Sequence, residues 1–440
     1  MFSRLTSWSN NLMERYLPDP YLFVLILTLV VFGMALIITP TPAQDLVMMW
    51  GNGFWGLLTF SMQMVLILVT GYVLASSRVF KYVLSSLAQI SKSPAGAVVN
   101  VTIVSLAASW INWGFGLVIG ALFAKELARH IRGVDYRLLI ASAYSGFIVW
   151  HGGLAGSVPL TIATPDHFSQ DLIGIIPTSE TIFAPFNLVI VGAMFIVLPV
   201  INRMMFNQEK AVTIDPETLK DEPIAEEKPE ADMTPAERLE NSWMLSVIFG
   251  LVIGPAFIIG YFYQNGFQLN LNIVNFTFLF LGILFHFRPK YFLHAVRNAV
   301  KGAGGIIIQF PFYAGIMGLM IDSGLAAAIA EWFVSFSNEV TYPLFTFLSA
   351  GLINFFVPSG GGQWAVQAPI MLEAGAALGV DPAKTAMAVA WGDAWTNLIQ
   401  PFWALPALAI AGLKARDIMG FCLIHLFITG VMIALGLILL

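Results

Sequence analysis

Apolar runs long enough to cross a bilayer recur along the whole chain, and no other feature limits its fold so strongly. They lie at 21–39, 54–76, 95–124, 138–163, 181–201, 243–263, 271–287, 302–321, 343–379, 385–412 and 417–439. A helix of roughly 20 apolar residues crosses ~30 Å of hydrocarbon. In that medium every backbone N–H and C=O must be satisfied inside the protein, so spanning segments are helices or closed barrels. Runs of this length read as helices, and the fold class expected is an all-α membrane protein. With 58% hydrophobic and 11% charged residues, the chain has too little charge to cover a soluble surface of this size. The run 21–39 is longer than a signal-peptide core and is expected to remain as the first span. Cys422 is the single cysteine, which excludes an intramolecular disulfide and a cysteine-based metal site. No basic patch with interleaved aromatics invites nucleic acid. There is no phosphate-binding glycine loop of the ATPase type, and the spans lack clustered catalytic groups. Neither an ATP-driven pump nor an enzyme is expected, and no cofactor.

Charge patterning threads the runs. The 21 Lys and Arg residues fall in clusters: Arg4 and Arg15; Arg78, Lys81 and Lys92; Lys125 to Arg137; Arg203 to Arg238; Arg288 to Lys301; Lys414 and Arg416. Segments 40–53, 164–180, 264–270 and 322–342 contain none. Cytoplasmic loops are enriched in Lys and Arg, so the expected N-terminus is cytoplasmic and the C-terminus periplasmic in a bacterial inner membrane. Run 95–124 then enters and leaves on the cytoplasmic side, as a re-entrant hairpin with its tip at Asn112–Gly116. Run 343–379 enters from outside, as a second hairpin broken at Pro358–Gly362. Only Lys384 falls on the outer side.

Hairpins entering from opposite faces mark an inverted-repeat transporter. Short strings support the repeat. Ile111-Asn112 at the first tip matches Ile353-Asn354 near the second, and Ala143 and Ala390 each precede a proline by sixteen residues, Pro159 and Pro406. Two spans are interrupted midway, at His151-Gly152-Gly153 and at Asn397 to Pro401. The domain reading is a first repeat at 1–202, a cytoplasmic linker at 203–242 and a second repeat at 243–440. The linker is acidic and proline-bearing, a solvated tether, and Thr234-Pro235-Ala236-Glu237 reads as a capped helix start.

Four breaks at membrane depth free backbone groups, which persist only where they line a cavity or are buried in protein. Half-helix N-termini offer N–H groups and partial positive charge to an anion. Freed carbonyls and amide side chains suit a coupling cation. The candidate substrate- and ion-binding residues are Ser109, Asn112 and Gly114 at the first tip, and Asn354, Ser359, Gly360, Gly361 and Gly362 at the second. The broken spans add His151 and Gly152, and Asp393, Asn397 and Gln400. Asn112, Asn354 and Asn397 are the candidate Na⁺ donors. Gln309, before Pro311, is a further residue facing the pathway. The alternatives stand beside these readings: glycines also serve close helix packing, Asp393 could be solvated near a helix start, and His151 could be a neutral, hydrogen-bonded core residue.

Longer strings carry a family resemblance. They include Met49-Trp50-Gly51-Asn52-Gly53-Phe54-Trp55, Ile111-Asn112-Trp113-Gly114-Phe115-Gly116-Leu117-Val118, Gln309-Phe310-Pro311-Phe312-Tyr313-Ala314-Gly315-Ile316 and Val357-Pro358-Ser359-Gly360-Gly361-Gly362. Leu17-Pro18-Asp19-Pro20 and the stretch from Gln400 to Gly412 extend them. The chain resembles the bacterial short-chain fatty acid transporters, the acetoacetate and butyrate uptake permeases. That resemblance implies a scaffold with a mobile two-hairpin domain, a homodimer, and secondary uptake of short monocarboxylates coupled to Na⁺ or H⁺. Another small carboxylate or a peptide remains the alternative substrate. The family pattern has a Trp where His151 stands, which argues against a general proton role there. It has Gly-Glu where Gly392-Asp393 stands, which keeps a carboxylate at that position.

Overall fold

The computed structural model describes residues 20–215, 219, 233–355 and 357–440. Arg4, Arg15, Leu17–Asp19 and most of the acidic linker (216–218 and 220–232) lie outside the described residues. All regular structure among the described residues is helical, and seven helices are long and apolar enough to span a membrane.

The first hairpin is two helices, Pro94–Ile111 and Trp113–His130, that meet at one residue. Asn112 ends the first arm and caps the second: its backbone is extended, and its Oδ1 accepts from Phe115 N at 2.9 Å. Ser93 and Pro94 start the hairpin, with Ser93 Oγ accepting from Gly96 N. The arms lie almost in contact because glycines face serines. A Cβ built on Gly120 would stand 2.7 Å from Ser105 Oγ, and one on Gly116 would strike the Ser109 backbone. Such small-residue seams let helix backbones approach where no water drives association.

The second hairpin, Tyr342–Ile353 and Gly360–Ala377, has a wider tip. Its first arm leans on the helix Pro382–Asn397, where Gly351 fits under the Trp395 ring and Gly392 under Phe347 and Ala350. The expected breaks in two spans are present. Tyr136–Ser145 runs through a short 3₁₀ turn to Val149, becomes irregular, and resumes at Ser157–Ile162. Pro382–Asn397 stops before Gln400, whose extended backbone is what a following proline imposes, and Pro401–Ala411 resumes the span.

The order span, connecting helix, hairpin, broken span, final span recurs in 58–205 and 304–439. The connecting helices Arg78–Ala88 and Leu325–Phe336 are absent from the sequence reading, as are Ala43–Gly53 and Pro289–Val300. Each is too short or too polar to register as an apolar run. The linker is anchored to the first repeat at its first described end and enters a capped helix at the other. Val212 O accepts from Tyr136 N, Leu219 O accepts from the Arg129 guanidinium, and Thr234 and Glu237 form the expected capping box.

Candidate functional site

Both hairpin tips and both broken spans converge on one region. Trp113, the first residue after the Asn112 turn, stands 5.8 Å from the Trp150 ring of the first broken span. It stands 5.7 Å from the Trp403 ring of the second. Gly360 of the second tip lies against His151 and Trp150; a Cβ there would strike the imidazole and approach Trp150 Cη2 to 2.7 Å. Between these elements is a cavity of about 510 Å³. Its walls include Trp113, Trp150 and Trp403, Ile306, Gln309 and Phe310 from the helix Gly304–Asp322, and Ser359, Gly360 and Gly361 from the second tip. Lys301, exposed, belongs to the same lining and follows the basic segment Arg288–Arg297 in the chain.

The second tip presents a helix N-terminus to the cavity. Ser359 Oγ accepts from Gly362 N at 3.3 Å and Ser359 O accepts from Gln363 N at 2.7 Å. The N–H of Gly361, ahead of both, has no acceptor among the described residues. The 18-residue helix behind it, Gly360–Ala377, points its positive end at the cavity. Packing also explains the glycines. A Cβ on Gly361 would reach Phe60 Cζ at 2.6 Å, and one on Gly362 the Tyr313 ring at 2.6 Å.

Behind the indole wall lies a buried polar cluster that joins the two repeats. His151 Nε2 and Asp393 Oδ2 share a hydrogen bond of 3.2 Å, with the side chains 0% and 1% exposed. Asp393 is therefore not the solvated residue of the alternative reading. Trp150 Nε1 donates to Asn397 Oδ1 (3.1 Å), and Tyr144 OH donates to Asn397 O (2.6 Å). Asn354 Nδ2 donates to Asp393 O and Thr396 Oγ1, and Gln400 Nε2 donates to Asn354 O at 2.6 Å. Asp393 Oδ1, Asn354 Oδ1 and Gln400 Oε1 are fully buried with no hydrogen-bond partner among the described residues. Buried oxygens without partners are uncommon in folded proteins, and each of the three is a lone-pair donor left available.

The candidate residues thus divide. Ser359, Gly360 and Gly361 line the cavity. His151, Asn354, Asp393, Asn397 and Gln400 form the cluster behind it. The Na⁺-donor trio does not come together as free oxygens: Asn112 Oδ1 caps its helix and Asn397 Oδ1 is taken by Trp150. Ser109 sits in the hairpin seam, and Gly114 beside the Leu68 backbone, both in packing positions. Gly152 supports the break instead of touching the cavity. Its carbonyl accepts from Trp110 Nε1 and Asn187 Nδ2, and Asn187 Oδ1 in turn accepts from Trp391 Nε1 at 3.1 Å. Asn187, Tyr144, Trp113 and Trp403 were not singled out from sequence. The first is a lone amide in an apolar span, which was the available signal; the indoles look like ordinary span residues. Asn187→Leu would strand the Trp391 indole and the Ile182 carbonyl. We expect it to lose about 2–4 kcal/mol of stability, read as a lower thermal midpoint in detergent. An unchanged midpoint would show that water replaces the amide.

Comparison with known proteins adds the lineage. The sequence profile of the family "Short chain fatty acid transporter" matches residues 1–440. A relative from Escherichia coli (strain K12), named for short-chain fatty acid transport, is 46% identical over 438 residues, covering 99% of both chains. One of the same name from Haemophilus influenzae is 46% identical over 445 residues, again covering 99% of each. Among solved structures, the fold is similar to the Alcanivorax borkumensis YdaH transporter, with a TM-score of 0.60 at 17% identity, covering 96% of this chain and 97% of that one. It is also similar to MtrF of Neisseria gonorrhoeae, with a TM-score of 0.51 at 15% identity, covering 100% and 96%.

Proposed function

The chain belongs to the short-chain fatty acid transporter family, and from that premise we propose that it is a secondary carrier for uptake of short monocarboxylates such as butyrate and acetoacetate. One observation carries the reading: a cavity bounded by both hairpin tips, with a glycine-lined helix N-terminus on one wall and indoles on the others. The carboxylate binds at Ser359–Gly361, where N–H groups and the helix dipole favour negative charge. The acyl chain lies on Trp113, Trp403 and Leu405. This division of polar head and apolar walls is the usual form of a small-molecule site. Lys301 belongs to a basic cluster, so by the positive-inside rule the cavity opens toward the cytoplasm.

Coupling follows from charge. An anion entering a negative-inside cell moves against about 2.3 kcal/mol per 100 mV, so at least one cation travels with it. The oxygens of Asp393, Asn354 and Gln400 suit Na⁺; Asp393 with His151 suits H⁺. The oxygen set joins the second hairpin tip to the second broken span and favours Na⁺. In proteoliposomes at equal pH, an inward Na⁺ gradient should stimulate butyrate uptake several-fold. Stimulation only by an inward H⁺ gradient in Na⁺-free buffer, lost in Asp393→Asn, would transfer the role to the proton. No uptake under either gradient would sink the carrier reading.

A further inference from the structure

The cavity presents hydrogen-bond donors on walls apart from the second tip. The proposed carboxylate site lies at the second tip. Gln309 lines a different wall, on the helix Gly304–Asp322, and is 7% exposed. Its amide orientation is set from below: Tyr313 OH donates to Gln309 Oε1 at 3.2 Å, one helical turn away. Tyr313 itself is fully buried, its ring against Gly362. With the oxygen taken, the amide presents Nε2, which has no acceptor among the described residues. The Trp113 indole, 3% exposed on the same cavity, carries a second such donor; its Nε1 is buried with no partner among the described residues.

A buried donor left unpaired costs more than its hydrogen bond returns when made. Sites built around such a donor reject analogues that lack the matching acceptor far more strongly than apolar pockets reject an extra methylene. A plain fatty acid offers these donors nothing. A short acid with a further oxygen on its chain, such as the 3-oxo group of acetoacetate, offers an acceptor while its carboxylate keeps the Gly360–Gly361 end.

We propose that Gln309, oriented by Tyr313, is a specificity-determining residue that makes the cavity prefer short acids bearing a second acceptor oxygen over plain ones. This rests on the carrier reading above. Gln309 touches the substrate; Tyr313 is a positioning residue that acts through it.

The test compares uptake of labelled acetoacetate and butyrate by wild-type and variant proteoliposomes. Gln309→Met keeps an unbranched side chain of similar length and removes the donor. It should lower the acetoacetate-to-butyrate ratio of kcat/KM about tenfold, the 1.4 kcal/mol equivalent of one hydrogen bond, mainly through the KM for acetoacetate. Tyr313→Phe keeps the ring against Gly362 and frees the amide to rotate. It should shift the ratio in the same direction by a smaller factor. An unchanged ratio in Gln309→Met, or equal loss of both substrates in both variants, would overturn the selectivity role and leave the carrier reading intact. Uptake of neither acid by the wild type would overturn the carrier reading itself, and this inference with it.

Discussion

Gly361→Val is expected to reduce uptake at least about 100-fold while the protein still reaches the membrane. A drop of that size corresponds to roughly 2.7 kcal/mol of lost stabilisation along the transport cycle. Two causes predict it. The valine Cβ would stand 2.6 Å from Phe60 Cζ and 2.9 Å from Phe60 Cε1, so the ring or the tip must move. Its methyl groups would also fill the cavity beside the Gly361 N–H, where only a residue without a side chain lets a ligand approach the backbone. The double variant Gly361→Val with Phe60→Leu separates the causes. Relief of the Phe60 clash without restored uptake assigns the glycine to the ligand. Restored uptake would assign it to packing, and the anion-binding role of the tip would fall.

Asp393→Leu and His151→Leu should each destabilise the protein by about 1–3 kcal/mol, because removing one partner leaves the other buried without its hydrogen bond. The pair is shielded from solvent, at 0% and 1% exposure, so water does not replace the lost partner. The double variant should lose less than the sum of the two, since the stranded partner is gone as well. Uptake should vanish in Asp393→Leu, because the carboxylate ties the second broken span to the first and is part of the proposed coupling-ion site. The measurement is the unfolded fraction in an SDS titration, run beside proteoliposome uptake. Single variants within 1 kcal/mol of wild type, or strict additivity, would show that the two residues do not depend on each other.

Much of the architecture was legible in the sequence because the bilayer imposes it. An apolar run of sufficient length must become a helix, and a Pro-Ser-Gly-Gly-Gly string must interrupt one. Both hairpins and both broken spans were therefore readable, at Asn112, at Pro358–Ser359, near His151–Gly153 and at Gln400–Pro401, although Gly360–Gly362, expected in the second break, form the first turn of the second arm. The connecting helices Arg78–Ala88 and Leu325–Phe336 were not. The first alternates polar and apolar faces, and the second is short and lies in a segment free of Lys and Arg; hydropathy averaged along a window passes over both.

The site was legible as a set of residue types and not as an arrangement. Polar groups at membrane depth stand out one by one, so His151, Asn354, Asp393, Asn397 and Gln400 could be named. That His151 reaches Asp393, 242 positions away, depends on how two interrupted spans cross. No local pattern encodes that crossing. The roles of Asn112 and Ser359 as helix caps, which occupy their oxygens, likewise needed the backbone. Trp113 and Trp403 became cavity walls only through packing, since an indole facing substrate and an indole facing lipid read alike. The sequence by itself determined the spanning helices and the places where they are interrupted, because backbone solvation in hydrocarbon is a local constraint. Tertiary structure alone decided which freed groups share a cavity and which satisfy one another, because those pairings join residues far apart in the chain and depend on side-chain contact.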